Sequence, residues 1–246
     1  MTTITLTDLT LGYERHPAVH HLSGSFKPGS MTAVVGPNGS GKSTLLKGIV
    51  GILRPLGGHI TRQNLKKHQI AYLPQQLEID RSFPITVLDT VILGLWRQIG
   101  IFGGMKRDLW TRAEHALQTV GLAGFEMRAI GNLSGGQFRR VMFARMLLQD
   151  SAVVVLDEPF TSIDNQTTID LLKVIERWHK EKRTIIAVLH DFRQVHDHFP
   201  EALLIARELV AWGPTAEVMT DKHLTLSRTM SEAWDDEAEI CAEEKV

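Results

Sequence analysis

Residues 31–53 read MTAVVGPNGSGKSTLLKGIVGIL. The run Met31–Val35 is short and continuously apolar rather than alternating, which suits a strand buried on both faces of a largely parallel sheet. The apolar periodicity resumes at Lys42–Ile52 and predicts a helix there. Between them lie Gly36, Pro37, Asn38, Gly39, Ser40, Gly41, Lys42, Ser43 and Thr44. Glycines at 36, 39 and 41 let a loop fold its N–H groups inward around phosphates. Lys42 can reach the β and γ oxygens, and the Ser43 hydroxyl can ligate Mg²⁺. Strand, glycine-rich loop and helix in that order are the context a phosphate-binding loop requires, and a plain serine-capped turn is the weaker reading.

Similar apolar runs recur at Ile70–Leu73, Val153–Leu156, Thr184–Leu189 and Ala202–Ile205, with helical patterns at Asn165–Lys180 and Asp191–Asp197. That alternation predicts an α/β fold, a P-loop NTPase core with a mostly parallel sheet. The opening MTTITLTDLTLGY alternates apolar and polar residues, as a strand of an N-terminal antiparallel β portion would. From about Leu77 to Gln149 no strand is evident, and helical patterns occupy Val87–Gln98, Asp108–Val120 and Gly136–Leu148. This region reads as a helical subdomain, 77–149, inserted into a core of residues 1–76 and 150–220. Residues 221–246 read as a C-terminal helix and acidic tail, DDEAEICAEE.

Bulk properties narrow the classes. With 246 residues, 43% hydrophobic and 22% charged, the chain fits one large domain or one domain with an insertion. Its formal net charge of −1 gives no basic surplus for nucleic acid. The single cysteine, Cys241, has no partner for an internal disulfide, and a reducing compartment follows. No basic start or apolar block marks a signal peptide. The stretch Ile85–Gly104 is interrupted by Asp89, Arg97 and Gln98 and falls short of the roughly 20 apolar residues of a membrane span.

Three further stretches carry chemistry. SAVVVLDEPF, residues 151–160, is a buried strand ending in two acids. Asp157 is placed to hold the Mg²⁺ hydration shell, and Glu158 is the candidate base for a water attacking a γ-phosphate. TIIAVLHDF, residues 184–192, brings His190 to a strand end, the edge of a parallel sheet where ligands bind. LSGGQFRR, residues 133–140, opens a helix with two glycines, each costing about 0.8–1 kcal/mol relative to alanine. Bare N–H groups after the capping hydroxyl of Ser134 make a seat for an anion.

Taken together, GPNGSGKST, VVVLDE, LSGGQ and the strand-end histidine resemble the ATP-binding subunit of ABC transporters, over nearly the whole chain to about Thr220. The resemblance implies an ATPase with ATP and Mg²⁺ as cofactors. It implies that Tyr13 stacks on adenine and that Gln75, in YLPQQ, senses Mg²⁺ and contributes to catalysis with Lys42, Glu158 and His190. Gln76 competes for the Gln75 role, but the family's glutamine follows the proline directly. It further implies that Asp164, in TSID, lies in a loop crossing to a partner subunit. Ser134, Gly135, Gly136 and Gln137 would contact the γ-phosphate of ATP held by a second copy, in a head-to-tail dimer with two shared sites. The other partners implied are integral-membrane permease subunits and, indirectly, a secreted or periplasmic metal-binding protein, with no nucleic acid. The location implied is cytoplasmic, peripheral on the inner face of the membrane.

RSFPITVLDTVILG, residues 81–94, and the stretch from His190 to Thr220 look like subunits of zinc or manganese importers, ahead of those for haem, siderophores or cobalamin. Soluble ABC ATPases usually carry two cassettes or a long coiled-coil insertion, and this chain shows neither. A non-hydrolysing adaptor would not need both Glu158 and His190. Eleven histidines do not make a metal site: His196 and His198 lie about 200° apart on a helix, and His20 and His21 point to opposite sides of a strand. The apolar face Ile85–Leu95 is either a groove for a permease helix or core packing. The tryptophans and Phe102–Gly104 read as packing.

Overall fold

The computed structural model describes residues 3–14, 16–66, 69–76, 80–100, 104 and 107–232. The acidic stretch 235–244, with Cys241, and Phe102 lie outside the described residues. Two compact units divide the chain, one made of Met1–Lys67 and Thr184–Val246, the other of His68–Arg183.

In the first unit β1 (Thr3–Tyr13) pairs antiparallel with β2 (His16–Phe26) and with β4 (Gly57–Gln63). Ile4, Leu6, Leu9 and Leu11 of β1 are wholly or nearly wholly buried. The alternation slips by one between Leu6 and Leu9, where the register shifts and Asp8 takes a left-handed φ of 48°. That extra residue is a bulge, which returns the apolar set to the core face. A second set of strands holds β3 (Met31–Val35), with β7 (Thr184–Val188) and β8 (Glu201–Ala206) parallel on its two sides. β9 (Glu208–Pro214) closes an antiparallel hairpin with β8. Every residue of β3 and β7 is buried, which is why those runs are continuously apolar. The helix after the glycine-rich loop, α1 (Lys42–Val50), buries Leu45, Leu46 and Ile49, each contributing about 1.5–3 kcal/mol. Beyond β7 come α7 (Phe192–His198), α8 (Thr215–Val218) and α9 (Asp221–Glu232).

In the second unit β5 (Ile70–Leu73) and β6 (Val153–Asp157) run parallel, Leu73 opposite Leu156. Its helices are α2 (Val87–Ile92), α3 (Trp96–Ile99), α4 (Arg107–Thr119), α5 (Gly135–Leu148) and α6 (Asn165–Lys180). The helical insertion expected at 77–149 lies within this unit, which also takes in β5, β6 and α6. Thr86 starts α2 with a capping box: its hydroxyl accepts from the Asp89 N–H while the Asp89 carboxylate reaches back. The single helix expected over Val87–Gln98 tightens into a 3₁₀ turn at Leu93–Leu95 before α3. Taken together the two units give an α/β protein whose long-range strand pairs are largely parallel, the expected class.

The apolar face Ile85–Leu95 resolves mainly into core. Val87, Val91 and Leu95 are 0% exposed, whereas Phe83, Leu93 and Trp96 are 63%, 40% and 55% exposed. Val91 and Leu95 therefore hold the helical unit together and do not face a partner. Leu95→Ala should cost about 2–5 kcal/mol, read as a lower denaturant midpoint at unchanged slope. Among the described residues no helix is long and apolar enough to cross a membrane. Among the same residues no three His, Cys, Asp or Glu side chains are grouped to hold a metal ion.

Candidate functional site

The loop 36–44 folds around its own lysine. The Lys42 ammonium donates to the carbonyls of Gly36 at 2.9 Å and Pro37 at 2.7 Å, and approaches the Ser40 hydroxyl at 3.4 Å. Gly41 caps α1 with a left-handed φ of 88°, and a Cβ there would stand 2.3 Å from the Ala18 carbonyl of β2. Only glycine fits such a crossing of two backbones. The loop and its ammonium thereby sit at the N-terminus of α1, a setting that attracts phosphate oxygens.

His190 belongs to the same edge. Val34 of β3 pairs with Val188 of β7, and the Leu189 N–H donates to the Val34 carbonyl at 3.3 Å. Gly36 and His190 each follow two residues later, so loop and histidine leave parallel neighbours at the same level. His190 is exposed there. Tyr13, the last residue of β1, is 48% exposed, and Lys47 of α1 donates to its hydroxyl at 3.2 Å. The Lys47 ammonium also lies 5.6 Å from the ring centroid, a contact that steadies an aromatic face otherwise open to solvent.

The second unit repeats this edge geometry. Gln75 and Glu158 each stand two residues beyond the Leu73–Leu156 pair. Asp157, at the end of β6, is 1% exposed. Glu158 has a left-handed φ of 48°, a conformation that costs a side-chain-bearing residue about 1–3 kcal/mol and collects at functional positions. The Thr161 hydroxyl donates to one Glu158 carboxylate oxygen at 3.3 Å. From α5, the Arg139 guanidinium donates one nitrogen to the Glu158 carbonyl and another to the Gln75 carbonyl.

Ser134 caps α5 in a capping box. Its hydroxyl accepts from the Gln137 N–H at 3.2 Å, and its own N–H donates to the Gln137 side chain at 3.0 Å. The two glycines that follow differ. A Cβ on Gly136 would lie 2.5 Å from the Ser162 carbonyl, so packing within this chain already requires glycine there. A Cβ on Gly135 would meet nothing within 4 Å, so the open approach to the backbone belongs to Gly135. Asp164 caps α6, accepting from the Thr167 N–H at 2.9 Å and the Thr167 hydroxyl at 2.7 Å. Those hydrogen bonds hold its carboxyl below the usual carboxylate range. A cavity of about 120 Å³ is lined by Arg81, Gly135, Arg139, Thr161 and Ser162.

Thus Tyr13, the loop and His190 belong to the first unit, while Gln75, the 133–137 run, Asp157, Glu158 and Asp164 belong to the second. Sequence reasoning passed over Arg139 and Lys47. The signal for Arg139 was partial: Arg139 and Arg140 both lie in a run where Phe138, Val141, Met142 and Phe143 are core, and only Arg139 is buried with them.

In the first unit the glycine-rich loop and Lys42 suit a polyphosphate, and the Ser43 hydroxyl is a hard oxygen donor of the kind Mg²⁺ takes. In the second unit the Asp157 carboxylate is another such donor.

Comparison with known proteins points the same way. The family model described as ABC transporter matches residues 19–161. The manganese transport system ATP-binding protein MntB of Listeria innocua is 37% identical over 220 residues, 88% of this chain and 92% of that protein. MntB of Bacillus subtilis is 32% identical over 225 residues, 90% of each. Among solved structures, an inward-facing transporter described as metal-chelate type matches with TM-score 0.78 and 26% identity, over 93% of this chain and 90% of that one. A dimeric bacterial ABC transporter cassette matches in fold with TM-score 0.76 at 24% identity, over 86% of this chain and 98% of that one.

Proposed function

Since this chain belongs to the ABC transporter family, we propose that it is the ATP-hydrolysing subunit that powers import of a divalent metal ion, manganese or zinc, through a separate membrane permease. The observation that carries the reading is the Gly36–Thr44 loop, wrapped on its lysine at the N-terminus of α1. The manganese systems among its relatives support the choice of cargo over haem, siderophores or cobalamin.

In this reading Gly36, Asn38, Gly39, Ser40, Gly41 and Thr44 offer backbone N–H groups to the phosphates, Pro37 shapes the loop between them, and Lys42 balances the phosphate charge. Tyr13 stacks on the adenine. Ser43, Gln75 and Asp157 are the oxygen donors suited to Mg²⁺, which when bound neutralises phosphate charge. Glu158 takes the proton from the attacking water, and His190 contacts the γ-phosphate. Ser134, Gly135, Gly136 and Gln137 serve ATP held by a second copy of the chain, with Asp164 on the same crossing surface. Positioning and charge stabilisation supply most of the rate, as phosphoryl transfer requires little covalent work from the protein. The chain acts at the cytoplasmic face of a membrane, and its permease receives a metal ion from an extracytoplasmic binding protein.

Cells lacking this chain should lose accumulation of manganese or zinc and keep that of haem and cobalamin. The reverse pattern would transfer the chain to the alternative importer class. The exposed side chains of the helical unit give a second test. Trp96→Glu, at a residue 55% exposed, should weaken co-purification with the permease while leaving ATP affinity unchanged. Wild-type capture by the folded variant would put the docking face elsewhere.

A further inference from the structure

Arg139 is 7% exposed on a helix whose neighbouring residues Phe138, Val141, Met142 and Phe143 are buried. A guanidinium in such a place is costly unless its donors are satisfied. Two of its nitrogens are satisfied by main-chain carbonyls, those of Gln75 and Glu158. These carbonyls belong to the segments leaving β5 and β6, strands that pair in parallel with Leu73 opposite Leu156. One planar fork therefore spans two adjacent strand ends, and it does so from the helix that begins at Ser134.

The Glu158 end explains why a fork is needed. With φ at 48°, the Glu158 backbone is held where a residue with a Cβ rarely stays. Holding its carbonyl fixes the Glu158 backbone and with it the Cα–Cβ direction from which the carboxylate projects. A charge-assisted hydrogen bond to that carbonyl holds the turn from the backbone, while the carboxylate acts on the guanidinium through its charge. Burial lowers the Arg139 pKa, opposed by the charges of Glu158 and Asp157, and the group stays cationic at neutral pH.

We propose that Arg139 is a positioning residue for ATP hydrolysis, clamping the Gln75 and Glu158 carbonyls so that both side chains are presented together and move with the helix that carries LSGGQ. This rests on the functional reading above. Arginine is required because its planar guanidinium offers several fixed donors, whereas the ammonium of lysine is a single point charge on a flexible stem. The cavity of about 120 Å³ beside it, walled by Arg81, Gly135, Thr161 and Ser162, leaves room for a small cation to reach the same place.

The test uses steady-state ATPase measurements on the full chain. Arg139→Lys keeps charge and stem but loses the fork. It should lower kcat about 10–100-fold, the usual cost of a misplaced catalytic group. Its KM for ATP should stay within about threefold, since no uniform binding contact is removed. Arg139→Ala should lose at least as much, and millimolar guanidinium chloride should restore part of its activity where equal sodium chloride does not. If Arg139→Ala does not fold, Arg139→Lys decides alone, checked by an unchanged melting profile. Wild-type kcat in folded Arg139→Lys, a loss confined to KM, or no guanidinium rescue of folded Arg139→Ala would each overturn the proposal. A wild-type chain without ATPase activity would instead overturn the functional reading on which it rests.

Discussion

Glu158→Gln should bind ATP as tightly as the wild type and hydrolyse it about 10²–10⁴-fold more slowly, the span expected for loss of a general base. The amide matches the carboxylate in shape and can still accept from the Thr161 hydroxyl, 3.3 Å away in the wild type. The Arg139 contact is to the Glu158 carbonyl and is untouched by a side-chain change. The substitution therefore removes the base, together with the charge that acts on the Arg139 guanidinium, and leaves these two hydrogen bonds in place. In the proposed cycle the dimer opens only after hydrolysis, so ATP should trap this variant as a closed dimer, detectable by size-exclusion chromatography. Single-turnover hydrolysis at the wild-type rate would remove Glu158 from the role of base.

Ser134→Arg should abolish ATP-driven dimerisation while the monomer still binds nucleotide. The residue is exposed at the start of α5, next to the open side of Gly135. Ser134 also caps its own helix, and loss of such a cap costs about 0.5–2 kcal/mol. Ser134→Asp separates the two effects, since aspartate is a good cap yet places negative charge against an incoming phosphate. Both variants should fail to dimerise, and only Ser134→Arg should lose helix stability. Mixed with Lys42→Ala, either should yield heterodimers with at most one intact site. Loss of ATP binding by the isolated Ser134→Arg monomer would mean that the 133–137 run serves its own chain.

Much of the sheet and most helices were legible because burial on both faces writes itself as uninterrupted apolar runs. β3 and β7 are buried at every position, and the runs Met31–Val35 and Thr184–Leu189 announce them. The antiparallel strands β2, β4 and β9 were not individually legible. β4 has no fully buried residue, and β2 and β9 carry register shifts that break the period-two pattern. At the candidate site the glycine-rich loop, Asp157, Glu158 and His190 stood out as candidates by residue type and spacing, whereas Tyr13, Gln75 and Asp164 came only from the family resemblance. The setting of Arg139 was not legible, since two of its partners are carbonyls, and every residue has one. The division of the Ile85–Leu95 face into buried Val91 and Leu95 and exposed Leu93 and Trp96 depends on how α2, α4 and α5 pack. Apolar periodicity alone cannot assign it.

The first unit is assembled from both ends of the chain, with His68–Arg183 placed between its two halves. β3 emerges early in synthesis, yet both of its neighbours, β7 and β8, lie beyond residue 183. At ribosomal rates of 5–20 residues per second, roughly 8–30 s pass before the first of them is made. Throughout that interval Met31–Val35 is an apolar strand with neither edge paired. The second unit waits about half as long, since β5 ends at residue 73, β6 begins at residue 153 and both are complete before β7 exists. The parallel pairing of the second unit can therefore form before that of the first, and the strand that precedes Lys42 is expected to stay unpaired in its sheet until the last quarter of the protein arrives.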